Sequence, residues 1–219
     1  RLKLLRGGAA APALRASMRE RLDDLMQRAG LDLGEAVPPL AHLASDGERP
    51  AVLGLAPGAQ WDPKRWPDPH WADLASRALE AGHPLRVVLG PREEAWFDGS
   101  ELAAVLSGQP DVELVRGRPL VDTAASLAGC RALVCNDSGL MHLAEAVRTP
   151  VAAFFGPTVR AFGYAPQLAA SRLLEREDLD CRPCSRNGKR PCHRGDLACL
   201  RNIPPEEVHA ALNTMEVHR

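Results

Sequence analysis

The stretch ALVCNDSGLMHLAEAVRTPVAAFFGPT, residues 132–158, decides the fold. It opens on an unbroken apolar run, Ala132-Leu133-Val134-Cys135, long enough for a short buried strand. Asn136-Asp137-Ser138-Gly139 then breaks the run, and a helix is predicted over 138–147. A second apolar run follows at Val151 to Phe155 and stops at Gly156-Pro157. Strands without polar alternation, joined by a helix, belong to a parallel sheet covered on both faces.

Working outward, the same unit repeats. Towards the N-terminus the spacing predicts strands at 51–56, 85–89 and 112–115, and helices at 69–81, 93–106 and 121–128. Counting 132–135 and 151–155, that makes five strands: an α/β, Rossmann-like, doubly wound parallel sheet. Leu14, Met18, Leu22 and Leu25 place a further helix at 12–29, and 31–50 reads as a linker rich in Gly and Pro. Ligands of such sheets bind beyond the carboxyl ends of the strands. The loops at 58–67, 90–94, 117–119, 136–139 and 156–158 are therefore expected to converge on one crevice.

At 219 residues the chain holds one large domain, or one and a half. Hydrophobic residues are 45% and charged residues 25%, as in ordinary globular proteins. A formal net charge of −1 removes the bulk argument for nucleic acid or an anionic membrane. The apolar runs are far short of the roughly 20 residues that a membrane-spanning helix needs. The opening residues lack the apolar core of a signal peptide, and the chain starts on Arg1 without Met, so a longer native chain is expected. All nine aromatic residues lie between Trp61 and Tyr164, which puts the core in the middle and the two ends at the periphery.

Neither a phosphate-binding P-loop nor a dinucleotide fingerprint follows any strand. The turn Asn136-Asp137-Ser138-Gly139 reads two ways. Its N–H groups and the helix behind it make an anion site, with His142 one turn in. Alternatively it is a capped helix with a packed histidine. The loop after the first strand runs Pro57-Gly58-Ala59-Gln60-Trp61-Asp62-Pro63-Lys64-Arg65-Trp66-Pro67. Lys64 suits a phosphate as a point charge, or is a surface cation between packing aromatics.

Taken together with Phe155-Gly156-Pro157-Thr158 and Cys181-Arg182-Pro183-Cys184, these loops resemble glycosyltransferase family 9, the lipopolysaccharide heptosyltransferases. Ser138 stands where Thr is commoner and keeps the hydroxyl. The resemblance implies the C-terminal half of a two-domain GT-B glycosyltransferase. Residues 46–219 would be the nucleotide-sugar-binding domain, and 1–45 a remnant of the acceptor domain with its linker. It implies that Gly58, Lys64, Glu93 or Glu94, Asp137, Ser138, Gly139, His142 and Pro157 surround the donor, and that Lys64 and His142 act in catalysis. The implied chemistry is inverting transfer of a sugar, heptose from ADP-heptose, to a lipid-linked or other glycan acceptor. The implied location is the cytoplasm, at the inner face of the membrane, and no nucleic acid is expected. The base of the family is an Asp of the N-terminal domain, which has no counterpart here. No cofactor is needed for catalysis, because fixed hydrogen-bond donors take that role.

Cys181, Cys184, Cys192 and Cys199 follow as Cys-x2-Cys-x7-Cys-x6-Cys, whereas Cys130 and Cys135 read as core residues. Four thiolates suit a structural zinc or iron, and reduced unliganded cysteines are the alternative. A metal is expected here because the segment has little apolar surface with which to order itself. From Cys181 to Arg201, six Lys or Arg stand against one Asp. This basic run supports a rival reading, a non-catalytic binding module for nucleic acid or a partner protein.

Overall fold

The computed structural model describes residues 51–215. The helix expected at 12–29, the linker at 31–50 and the acceptor-domain remnant lie outside the described residues. Six strands form one parallel sheet: β1 (Leu53–Ala56), β2 (Leu85–Val88), β3 (Val112–Val115), β4 (Ala132–Asn136), β5 (Val151–Phe155) and β6 (Arg172–Glu175). Their order is β3-β2-β1-β4-β5-β6. The chain thus winds outward from β1 in one direction, crosses back, and winds outward from β4 in the other. The topological switch point lies between β1 and β4, paired from Leu53 opposite Ala132 to Ala56 opposite Cys135.

Strand side chains alternate between two cores. Leu53, Leu55, Val134 and Phe154 enter the core covered by α1 (Asp68–Glu80), α2 (Glu94–Phe97) and α3 (Glu101–Leu106). Ala56, Leu133, Cys135 and Phe155 enter the core under α4 (Leu120–Ala128) and α5 (Gly139–Ala146). The continuous apolar reading of these strands follows from having both faces buried. Trp66 anchors the first core: its ring stacks on Phe154 at 4.5 Å between centroids and meets Trp71 edge-on at 5.1 Å.

Three expectations change. The helix read over 93–106 is two helices, because Ser100 caps α3. Its hydroxyl accepts from Ala103 N at 3.0 Å and donates to the Phe97 carbonyl at 2.6 Å. Asp68 accepts the next orphan donor, Glu101 N, at 2.6 Å. The sixth strand, β6, escapes a search for apolar runs because Arg-Leu-Leu-Glu buries only Leu174 at the sheet edge. The C-terminal part is not peripheral either. Cys199 and Leu200 of α6 (Ala198–Arg201), then Ile203, then Val208 and Leu212 of α7 (Pro205–Thr214), complete the first core. Trp66 Nε1 donates to the Ile203 carbonyl at 2.9 Å, and Arg77 of α1 pairs with Glu206 of α7 at 2.7 Å.

Candidate donor crevice at the switch point

Asn136 ends β4 with its side chain fully buried. Its Oδ1 accepts Trp66 N at 2.9 Å, and its Nδ2 donates to the carbonyls of Pro57 (2.8 Å) and Gly58 (3.1 Å). One amide therefore fastens both ends of the loop after β1 to the end of β4. A short 3-10 turn at Asp62–Lys64 then aims Lys64 across the switch point.

Lys64 Nζ lies 2.7 Å from Asp137 Oδ2 and donates to the Asp137 carbonyl at 3.1 Å. The side chains are only 14% and 10% exposed. Thr158 Oγ1 donates to the same carboxylate oxygen at 2.7 Å. A buried carboxylate with two donors is a stable arrangement, and Lys64 holds it as a directed point charge. Beside it, Ser138 starts α5 without using its hydroxyl as a cap, and that buried Oγ has no partner.

A crevice of about 1160 Å³ opens over this group. Of the predicted residues, Lys64, Glu93, Asp137, Ser138, Gly139 and His142 line it. His142 is exposed on its wall rather than packed. Gly58, Glu94 and Pro157 do not line it. Gly58 lies behind Glu93, and a Cβ there would stand 1.8 Å from the Glu93 carboxyl carbon. Glu93 is further held by Gly90 N, which donates to Oε2 at 2.8 Å. Glu94 instead starts α2. Pro157 serves as an anchor, its carbonyl accepting from Cys184 N (3.2 Å) and Ser185 N (3.3 Å). The expected convergence of loops holds for those after β1, β2, β4 and β5, whereas the loop after β3 contributes Leu120 just beyond 117–119.

Sequence reasoning singled out neither Thr158 nor Arg92, Tyr164, Arg186 and Asn187, which also line the crevice. Thr158 had a signal, since it ends the Phe155–Thr158 motif. Arg186 and Asn187 had none beyond the basic run, because no period places a loop 30 residues downstream of β5 over the end of β1.

The four-cysteine metal site finds no support in the structure. Among the described residues no three His, Cys, Asp or Glu side chains are grouped to hold a metal ion. All four cysteines are free, and Cys199 is buried in the apolar core beside Leu200. Burial pushes the Cys184 thiol up, and pushes Cys199 up to about 11. Arg182 supplies order to this segment without a metal. Its guanidinium, 3% exposed, donates to the Phe155 and Thr158 carbonyls at 2.8 Å and to Glu175 at 2.7 Å. It also donates to the carbonyls of Gly156 and Arg176. One buried cation thus ties the segment to the ends of β5 and β6.

The sequence model of glycosyltransferase family 9 (heptosyltransferase) matches residues 15–191. The chain is 39% identical over 191 residues to lipopolysaccharide heptosyltransferase 2 of Escherichia coli, an alignment covering 83% of this chain and 51% of that protein. It is 34% identical over 177 residues to lipooligosaccharide heptosyltransferase 2 of Haemophilus influenzae, covering 77% and 48%. The solved structure of the E. coli ADP-heptose LPS heptosyltransferase II superposes with a TM-score of 0.62 at 27% identity, covering 84% of this chain and 52% of that one. The chain spans about half the length of the curated relatives it matches.

Proposed function

Because the chain belongs to glycosyltransferase family 9, the heptosyltransferases, we propose that it is the donor-binding half of an enzyme that transfers heptose from ADP-heptose to a lipopolysaccharide-type glycan. The observation that carries this reading is the junction of Lys64, Asp137 and Thr158 beside the start of α5, at the sheet's switch point. Such a position suits a nucleotide, and the helix start suits its phosphates.

In this reading Glu93 and the turn that holds it face the nucleoside, and the carboxylate accepts hydrogen bonds from the ribose hydroxyls. Lys64 and the N–H groups at Ser138 and Gly139 face the diphosphate. His142, one turn into α5, faces the sugar. The acceptor hydroxyl attacks the anomeric carbon as the bond to the diphosphate breaks, so the configuration inverts. Its proton passes to a carboxylate, which we assign to the N-terminal half of the GT-B architecture. Fixed N–H and ammonium groups stabilise the charge that collects on the leaving diphosphate. The enzyme works in the cytoplasm, at the membrane face where its acceptor is displayed. No helix of the described residues is long and apolar enough to cross a membrane.

Calorimetry of the chain with ADP, ADP-heptose, adenosine and a short oligonucleotide tests the donor reading. ADP and ADP-heptose are expected to bind well above adenosine. Salt-dependent oligonucleotide binding without ADP binding would establish the rival binding module instead. Transfer is read on the full-length gene product, with the anomeric configuration of the product determined by NMR. Retention at the anomeric carbon would overturn the inverting mechanism.

A further inference from the structure

The crevice contains more cationic residues than the family motifs account for, and their pairing decides which are available to a ligand. Four line it: Lys64, Arg65, Arg92 and Arg186. Lys64 is already compensated by Asp137 at 2.7 Å. Arg65 pairs with Asp62 at 3.1 Å, donates to the Ala59 carbonyl, and lies over the Trp96 ring at 5.2 Å. A sugar nucleotide brings two negative charges on its diphosphate, and the leaving diphosphate gains another. The Lys64–Asp137 pair, being neutral overall, does not balance them. Arg92 and Arg186 are exposed on the lining and carry no partner among the described residues.

Of these two, Arg186 stands at the Lys64 end. It belongs to a closed turn in which Gly188 N donates to Ser185 Oγ at 3.0 Å, while Ser185 N is fastened to the Pro157 carbonyl. Gly188, at φ +82°, lies against the aliphatic stem of Lys64, where a Cβ would come within 2.5 Å of Cγ. The turn is therefore docked on the Lys64 side chain, and Arg182 fixes its base to the ends of β5 and β6. Arg92 sits instead beside Glu93, on the turn after β2.

We infer that Arg186 is a further catalytic residue of this enzyme, the guanidinium that neutralises the donor diphosphate and the charge released on it. The inference rests on the donor reading given above. In the transfer step the acceptor oxygen forms its bond to the anomeric carbon, and the anomeric carbon–oxygen bond breaks. That electron pair stays on the β-phosphate oxygen, and the acceptor proton goes to the general base. Arg186 donates hydrogen bonds to the phosphate oxygens throughout and transfers no proton. A guanidinium fits because it offers two parallel N–H groups to a phosphate. Its rigid turn limits the entropy lost when it binds.

The test measures ADP, AMP and adenosine binding to wild type, Arg186→Gln, Arg186→Lys and Lys189→Gln. Lys189 lies over the Trp61 ring and off the crevice lining, so Lys189→Gln controls for simple loss of surface charge. Arg186→Gln is expected to weaken ADP binding about tenfold, with adenosine within about twofold of wild type. Arg186→Lys recovers part of the loss, Lys189→Gln stays near wild type, and the melting temperatures stay together. In the full-length gene product, Arg186→Gln lowers kcat with ADP-heptose as well as donor affinity. If Arg186→Gln binds ADP like wild type and raises only the acceptor KM, the cation serves an acceptor anion and the inference fails. If wild type itself does not prefer ADP to adenosine, the donor reading fails first, and the inference with it.

Discussion

Asp137 holds Lys64 twice, through its carboxylate at 2.7 Å and through its own carbonyl at 3.1 Å. The ammonium is thus a fixed part of the switch point rather than a mobile surface charge. Removing it does two things at once. Lys64→Ala is expected to cost binding of ADP but not of adenosine, and to destabilise the fold by about 3 kcal/mol, because a mostly buried carboxylate loses its cation. The double variant Lys64→Ala with Asp137→Asn is expected to regain much of that stability but none of the ADP binding. Urea denaturation and calorimetry separate the two effects, and additive stability losses would show that the pair is not coupled.

Asn136 is the covalent neighbour of Asp137 and the support of the loop that carries Lys64. Asn136→Ala leaves Trp66 N and the Pro57 and Gly58 carbonyls without their side-chain partner inside the protein. At roughly 1–3 kcal/mol for each buried group left unsatisfied, a loss of about 3 kcal/mol is expected, together with loss of ADP binding. Asn136→Asp is expected to be no better, since it keeps the acceptor but turns a carboxylate towards two carbonyls. Chemical denaturation checks both; a loss under about 1 kcal/mol would mean that Trp66 packing alone seats the loop.

How much of this was legible in the sequence follows from what each residue contacts. The four inner strands were readable because both faces of each are buried, so that Leu133 and Val134 are both apolar although they enter different cores, whereas the edge strand β3 was readable from Val112, Leu114 and Val115 even though Glu113 and Leu114 are exposed. β6 was not, because its apolar run is only Leu173-Leu174, flanked by Arg172 and Glu175. Lys64, Asp137 and His142 were readable as motif residues, but the Thr158 bond to Asp137 joins the ends of two strands and has no local sequence period. The cysteine spacing went unsupported for a related reason. It described a possible ligand set, whereas Arg182, between the first two cysteines, was already bonded to two strand ends.

His70 gives the fold a dependence on pH. Burial holds its pKa below the ordinary value, against the raising effect of the Ile203 carbonyl and of Asp73, and Nδ1 is buried without a partner. His83 is lowered too, by burial and by Arg131. A histidine with a lowered folded pKa takes up its proton more readily in the unfolded chain. Stability is therefore full above about pH 6.5 and falls as the pH drops below it, towards the folded pKa. Urea midpoints at pH 7.5, 6.5 and 5.5 are expected to decline for wild type, and to decline less for His70→Asn with His83→Asn. An equal decline in both would assign the effect to other groups.

Thiol titration separates free cysteines from a metal cluster. At pH 8 Cys181 and Cys192, half-buried, are expected to react first with a disulfide reagent. Cys184 lags because burial raises its pKa, and Cys199, near 11, holds almost no thiolate. Mass spectrometry of the labelled peptides reads the order. Equal protection of all four, released together by a chelator, would show a tetrathiolate site in solution after all.

Gly58 and Glu93 provide the sharpest test of the crevice, because they are 35 residues apart in sequence and share one volume. An added methyl at Gly58 would stand 1.8–2.1 Å from the carboxyl group of Glu93, closer than any contact real atoms make. The obstacle is the end of a flexible side chain, so the carboxylate can swing aside at the cost of its bond from Gly90 N. Gly58→Ala is therefore expected to leave the melting temperature within a few degrees of wild type while it evicts Glu93 from the crevice wall. If Glu93 is the group that accepts the ribose hydroxyls, Gly58→Ala and Glu93→Ala should weaken adenosine and ADP binding by the same factor, about tenfold for a charge-assisted hydrogen bond lost. The double variant should be no worse than either alone, because each removes the same contact. Losses that multiply in the double variant would mean that Gly58 touches the ligand through its own backbone, and a large stability loss in Gly58→Ala would mean that the loop, not Glu93, gives way.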